Sequence, residues 1–103
     1  MKFLTTVKPG PMPPPAEVVR ASQDWIQAAL DDGWVECCYA YPHGGGCSIS
    51  EVDSHEELMD RLLDYPMSPF VDYEVTPLVE LGAAFDKLSS YIERATAAVG
   101  AGA

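Results

Sequence analysis

Apolar and polar positions follow two rhythms along this chain. From Lys2 to Lys8 (KFLTTVK) they alternate with period two, which predicts a first strand. Val18, Val19, Ser22, Trp25, Ile26, Ala29 and Leu30 then recur at helical spacing. They form one stripe of a helix over Ala16–Asp32 that Gly33 ends. Between the two, Pro9 to Pro15 (PGPMPPP) reads as a stiff, polyproline-like crossover rather than a ligand for a proline-binding module. Trp34 to Tyr41 reads as a second strand, and Pro42-His43-Gly44-Gly45-Gly46 as the turn into a third, Cys47 to Val52.

The helical rhythm returns after Asp53-Ser54. Ser54-x-x-Glu57 fits a capping box, and Leu58, Met59, Leu62 and Leu63 make the apolar stripe of a helix ending at Asp64. Pro66 stops that helix, Pro66-x-x-Pro69 holds the link extended, and Phe70 to Leu78 resumes as a strand. The order β-α-β-β-α-β is the ferredoxin-like arrangement, an α+β fold with a four-stranded antiparallel sheet and both helices on one face. The other face needs cover, and a partner sheet supplies it economically. Beyond this domain (residues 1–80), Leu81, Phe85, Leu88, Ile92 and Ala95 alternate in steps of four and three. They predict an amphipathic helix over residues 81–98, packed on the domain or on a neighbouring subunit, with residues 99–103 frayed.

Composition narrows the partners. At 103 residues, 48% hydrophobic and 21% charged, the chain is an ordinary globular domain with one modest core, for which self-association is a natural source of further burial. Sixteen acidic residues against six basic ones give a net charge of -10, which opposes nucleic acid and anionic membrane surfaces alike. Neither a signal-peptide core nor a membrane span is visible, and three cysteines suit free thiols in a reducing compartment, so a cytoplasmic protein is expected.

Several of these stretches are familiar together. Ser48-Ile49-Ser50-Glu51-Val52, the helix to Asp64, and the run Tyr65-Pro66-Met67-Ser68-Pro69-Phe70-Val71-Asp72-Tyr73-Glu74-Val75 resemble the muconolactone isomerase family. That family carries a strand ending in Asp-Val, a helix, a Leu-Pro-x-x-Pro-aromatic turn and then Asp-Ile-Glu-Val. The similarity spans Cys47 to Leu78 and runs more weakly through Trp34 and the helix before it. It implies a dimeric α+β barrel of ferredoxin-like subunits, higher oligomers, and cofactor-free isomerisation of a small lactone by proton transfer. The family's second strand is rich in basic and imidazole side chains, whereas Trp34–Tyr41 (WVECCYAY) has none. The Lys and Glu of the family's first helix fall near Ala21, Ser22 and Gln23. With those differences, a neutral and more apolar substrate fits, in a pocket lined by Tyr, Cys, Met and Trp, with Trp25 among them.

Candidate chemistry concentrates in the second strand. Glu36 has apolar or aromatic neighbours; facing the pocket it would be a general acid/base with a raised pKa, and otherwise it faces solvent or an interface. Cys37, Tyr39 and Tyr41 share one strand face. A four-residue turn at Pro42–Gly45 would pair Tyr41 with Gly46 and Tyr39 with Ser48. Tyr39 and Ser48 would then hold a substrate carbonyl as it becomes an oxyanion, or simply pack as sheet residues. This register sets Glu36 on the opposite face unless a bulge intervenes. His43 is a proton shuttle or an exposed turn residue, and His55 is a surface residue of the second helix.

Cys38, His43 and Cys47 offer at most three metal ligands in no recognised spacing, so neither metal nor cofactor is expected. The expected protein is a homo-oligomeric isomerase moving a proton on a small neutral lactone or carbonyl compound, including rearrangement or cyclisation. A cofactor-independent monooxygenase acting on an aromatic substrate, a non-catalytic ligand-binding oligomer and a purely structural oligomer are the alternatives.

Overall fold

Strand β1 (Lys2–Pro9) sits inside the sheet and orders everything around it. In the computed structural model, which describes residues 1–102 and their side chains through Gly100, β1 pairs antiparallel with both β3 (Gly46–Glu51) and β4 (Val71–Leu78). Strand β2 (Val35–Ala40) adds antiparallel to β3, giving the order β2-β3-β1-β4. This is the ferredoxin-like α+β fold expected from the element order, with helices α1 (Ala16–Asp32) and α2 (His55–Asp64) as its crossovers.

The period-two rhythm of β1 works as a face selector. Phe3 and Thr5 are each 1% exposed, whereas Lys2, Leu4 and Thr6 remain half-buried on the other face. Phe3 joins Val52 and Leu58 in the core, with Trp34 and Leu62 packed against them. On α1, Ser22 and Ala29 are buried, and Pro15 starts the helix with its ring-fixed φ of -61° and a carbonyl that accepts from Val18 and Val19. Gly33 ends it at φ +86°, a conformation that costs glycine little.

The second helix starts as its capping residues require. Ser54 Oγ accepts from the Glu57 amide at 3.1 Å, and Glu57 Oε2 accepts from the Asp53 amide at 2.7 Å. Its buried stripe is narrower than the sequence predicts: Leu58 and Leu62 face inward, while Met59 and Leu63 are exposed. The linker after α2 also differs. Instead of an extended segment, Ser68–Phe70 forms a 3-10 turn, with Ser68 donating to the Tyr65 carbonyl and Phe70 to that of Met67. The fixed proline φ suits a tight turn as well as an extended one, and here turn hydrogen bonds decide.

The last helix, α3 (Leu81–Gly102), continues past the expected end at residue 98, and Ala103 lies outside the described residues. Every side chain from Val79 to Gly100 is exposed, and the molecule extends 67 Å along its long axis against 30 and 24 Å across. Of the two placements expected for this helix, on its own domain or on a neighbouring subunit, the first is not seen within the chain. None of the described helices is long and apolar enough to cross a membrane.

Candidate functional site

A cavity of about 1020 Å³ lies between the inner sheet face and the two crossover helices. The proline-rich crossover from Pro9 to Pro14 forms part of its wall, so the stiff segment has a place in the site and is more than a link. Trp25 of α1, Trp34 at the start of β2 and Tyr65 at the end of α2 meet there. Trp25 packs edge-on to Trp34 at 5.5 Å between ring centroids and tilted against Tyr65 at 5.1 Å. The Arg61 guanidinium stacks 4.6 Å over the Trp34 ring and bonds Glu57 Oε1 at 3.0 Å, so its charge is spent outside the cavity.

The floor is polar in one row. Cys38 pairs with Ser48 across β2 and β3, and Ser48 pairs with Thr5 across β3 and β1. All three line the cavity, as does Ser50, which is 2% exposed. Thr5 Oγ1 is buried without a hydrogen-bond partner in the protein, a state that costs free energy unless something in the cavity meets it. Among the described residues, no Asp, Glu, Lys, Arg or His lines the space. Burial pushes the Cys38 thiol above its ordinary value, reinforced by the neighbouring Cys47 and Cys37. Burial likewise raises the Tyr65 and Tyr73 phenols. The Tyr73 hydroxyl is already engaged, donating to the Leu62 carbonyl at 3.2 Å beside Ser68 Oγ at 3.1 Å. These groups therefore enter the cavity protonated at neutral pH.

The hairpin register differs from the expected one by a residue. Tyr39 pairs with Cys47 and Cys38 with Ser48, because Tyr41 closes on Gly45 across a three-residue turn. Gly45 takes φ +80°, and a Cβ there would strike the Val7 carbonyl, so the glycines set the turn length. Tyr39 and Ser48 consequently stand on opposite sheet faces. A bulge does intervene at Glu36: one step along β3, from Ser50 to Ile49, spans Val35 to Cys37 on β2. It keeps Val35 and Cys38 both inward.

Of the expected site residues, Trp25 and Ser48 line the cavity, and Tyr39 reaches only its rim with a side chain 69% exposed. Glu36, Cys37, Tyr41 and His43 do not line it. Glu36 instead bonds Lys2 Nζ at 3.0 Å on the outer face, and this contact raises the Lys2 pKa. His43 stacks on Tyr41, their ring centroids 5.4 Å apart. Thr5, Cys38, Ser50, Trp34 and Tyr65 were not among the expected residues. Their signal was present in part: Thr5 keeps the phase of Phe3 and Val7, and Ser48 and Ser50 keep the phase of Val52, so polar groups occupy core-facing positions.

No family model and no curated protein sequence matches the chain. Solved structures do. Muconolactone isomerase superposes with a TM-score of 0.69 at 24% identity, covering 78% of this chain and 90% of that one. The two share a fold. A 5-chloro-2-hydroxyhydroquinone dehydrochlorinase from Burkholderia phenoliruptrix AC1100, solved with 2,5-dihydroxybenzoquinone, matches with a TM-score of 0.56 at 14% identity, over 78% of this chain and 95% of that one. The common scaffold thus carries an isomerase and a dehydrochlorinase among its solved members.

Proposed function

We propose that the chain is a small-molecule isomerase, acting without a cofactor on a neutral lactone or carbonyl compound held between the helices and the sheet. The observation that carries this reading is an aromatic cavity with a hydroxyl–thiol floor and no ionised group in its wall. An anionic ligand would meet no cation there; a flat, neutral one would lie against Trp25, Trp34 and Tyr65. Its carbonyl oxygen takes hydrogen bonds from Thr5 and Ser48, which stabilise the oxygen as it gains negative charge. Cys38, next in the row, moves the proton once hydroxide from solvent has taken the thiol's own proton, which its raised pKa confines to alkaline pH. The thiolate takes a proton from the carbon beside the carbonyl, and the resulting thiol returns it at the new position, so exchange should rise with pH. Bonds and charge then balance with water and hydroxide alone.

Glu36, His43, Cys37 and Tyr41 have a different part in this reading. Glu36 and Cys37 stand on the outer sheet face with the half-buried Leu4, Thr6 and Ile49, the face that a partner sheet would cover, and Tyr41 and His43 stack on each other in the adjoining hairpin turn. We assign them to subunit contact. Tyr39, at the rim, closes the ligand's exit at the β2 edge.

The test is proton exchange. Small lactones and α,β-unsaturated ketones incubated with the protein in deuterated buffer should gain deuterium beside the carbonyl, with no uptake of oxygen. Cys38→Ser should abolish the exchange, while Trp25→Ala weakens binding. Oxygen consumption with a phenol would instead favour a monooxygenase. A second reading has its own support: the raised Cys38, Tyr65 and Tyr73 pKa values leave little base in the cavity at neutral pH. Saturable binding without exchange at any pH up to and through the Cys38 inflection would make the protein a ligand carrier and end the isomerase reading.

A further inference from the structure

Among the described residues, helix α3 packs no side chain from Leu81 to Gly100 against the rest of the chain. We infer that it pairs antiparallel with α3 of a second copy, forming an interface separate from the sheet face. The inference is independent of what the cavity binds.

Leu81, Phe85, Leu88, Ile92 and Val99 are each half to three-quarters exposed, and Tyr91 beside them is 64% exposed. A 22-residue helix is about 33 Å long and gains most of its stability in proteins by packing an apolar face, which α3 does not do within its own chain. These six side chains expose roughly 600 Å² per helix, so two helices hide about 1,200 Å², the lower bound of a stable specific interface. Patches of this size mark interaction sites.

The stripe also selects its partner. It is symmetric about Ser90: Leu81 and Val99, Phe85 and Ala95, Leu88 and Ile92 lie equally far from that residue on either side. In an antiparallel pair each of these meets the other across the two-fold axis, the alternation of four and three placing them in one seam. The volumes match, since Phe85 faces Ala95 and Leu88 faces Ile92. A parallel pair would crowd Phe85 against Phe85 and leave a void at Ala95. The flanks are uncharged: Gly82, Ala84, Ser89, Thr96 and Ala98 permit close approach, and Tyr91 meets its own copy near the axis. Glu80, Asp86, Lys87, Glu93 and Arg94 all fall on the opposite half of the helix, where they stay hydrated. Antiparallel alignment also sets the two helix dipoles in their favourable sense.

Sedimentation velocity on the full chain and on three variants decides the matter. Leu88→Glu and Ile92→Lys should each raise the dissociation constant of the assembly at least about tenfold, because each puts an unpaired charge into the seam. Leu88→Glu with Ile92→Lys in the same chain should recover much of that loss, since antiparallel pairing sets each glutamate opposite a lysine. Near-ultraviolet circular dichroism of Trp25 and Trp34 verifies that the sheet domain is intact in every variant. Unchanged assembly in Leu88→Glu overturns the interface. A double variant as dissociated as the singles overturns the antiparallel pairing, in favour of α3 seated on the sheet domain of a neighbouring chain.

Discussion

Thr5 condenses the trade between stability and binding into one hydroxyl. Thr5 is 1% exposed and belongs to the cavity lining, and its buried Oγ1 has no hydrogen-bond partner in the protein. Thr5→Val keeps the shape and removes the unpaired group, so urea denaturation should show a protein about 1 kcal/mol more stable. Ligand affinity should fall in the same variant. A loss of stability would mean that the hydroxyl is satisfied in the empty protein. Cys38, two strands away in the same row, is held protonated chiefly by burial. For a thiol whose folded pKa is raised, the neutral form is favoured by folding; its contribution is complete below the ordinary value of 9.0 and is lost as pH rises through the folded value. Two outcomes follow. Stability should decline above pH 9, and iodoacetamide should modify Cys38 slowly at neutral pH, with an inflection above 9.0 in rates followed by peptide mass mapping. Fast labelling at pH 7 would remove it from the desolvated floor.

Local signals at element boundaries are strong enough to be tested singly. Ser54→Ala deletes the side chain that accepts from the Glu57 amide and should cost about 1 kcal/mol in a chemical melt. Glu57 itself is held below the usual carboxylate range, first by the Asp53 amide and then by Arg61. A carboxylate with a depressed folded pKa stabilises above its unfolded value and loses that contribution as pH falls through the folded one. Acid should therefore weaken the wild type below pH 4.5, and Glu57→Gln should flatten this part of the curve. At the hairpin, Gly45→Ala asks for a strained φ and a displaced Val7 carbonyl at once, and a loss of about 2 kcal/mol or more is expected. These boundaries were legible because capping, turn and breaker residues act over three or four positions. The hairpin register was misplaced by one residue because two glycines of positive φ shorten the turn, which composition does not reveal.

Across the whole molecule, the chain separates a dense sheet domain from a projecting helix. Its radius of gyration is 19.1 Å, where a compact domain of this length would have about 13 Å. Small-angle scattering of the dissociated Leu88→Glu variant should return a value near 19.1 Å, and a value near the compact one would mean that α3 folds back onto its own sheet. The net charge of -10 repels like copies, so any assembly through α3 or the sheet face should tighten as salt rises. The ferredoxin-like topology follows from element order, and that order was readable from periodicity together with the capping, glycine and proline signals at the boundaries.

The sequence by itself determined the elements, their order and the face that most of them bury. Those properties depend on neighbours within a few residues, as in Ser54 with Glu57 or Phe3 with Thr5. The candidate site was decided by tertiary structure. A single bulge at Glu36 turns Cys38 inward while Glu36 stays on the outer face with Lys2. One residue of register separates Tyr39 from Ser48, and the row from Cys38 through Ser48 to Thr5 joins positions from three strands. Pleat makes side-chain direction change with every residue, so a one-residue irregularity exchanges the contents of the two faces. Residue types in β2 announced chemistry; only the folded sheet assigned each of them to the cavity or to the opposite surface.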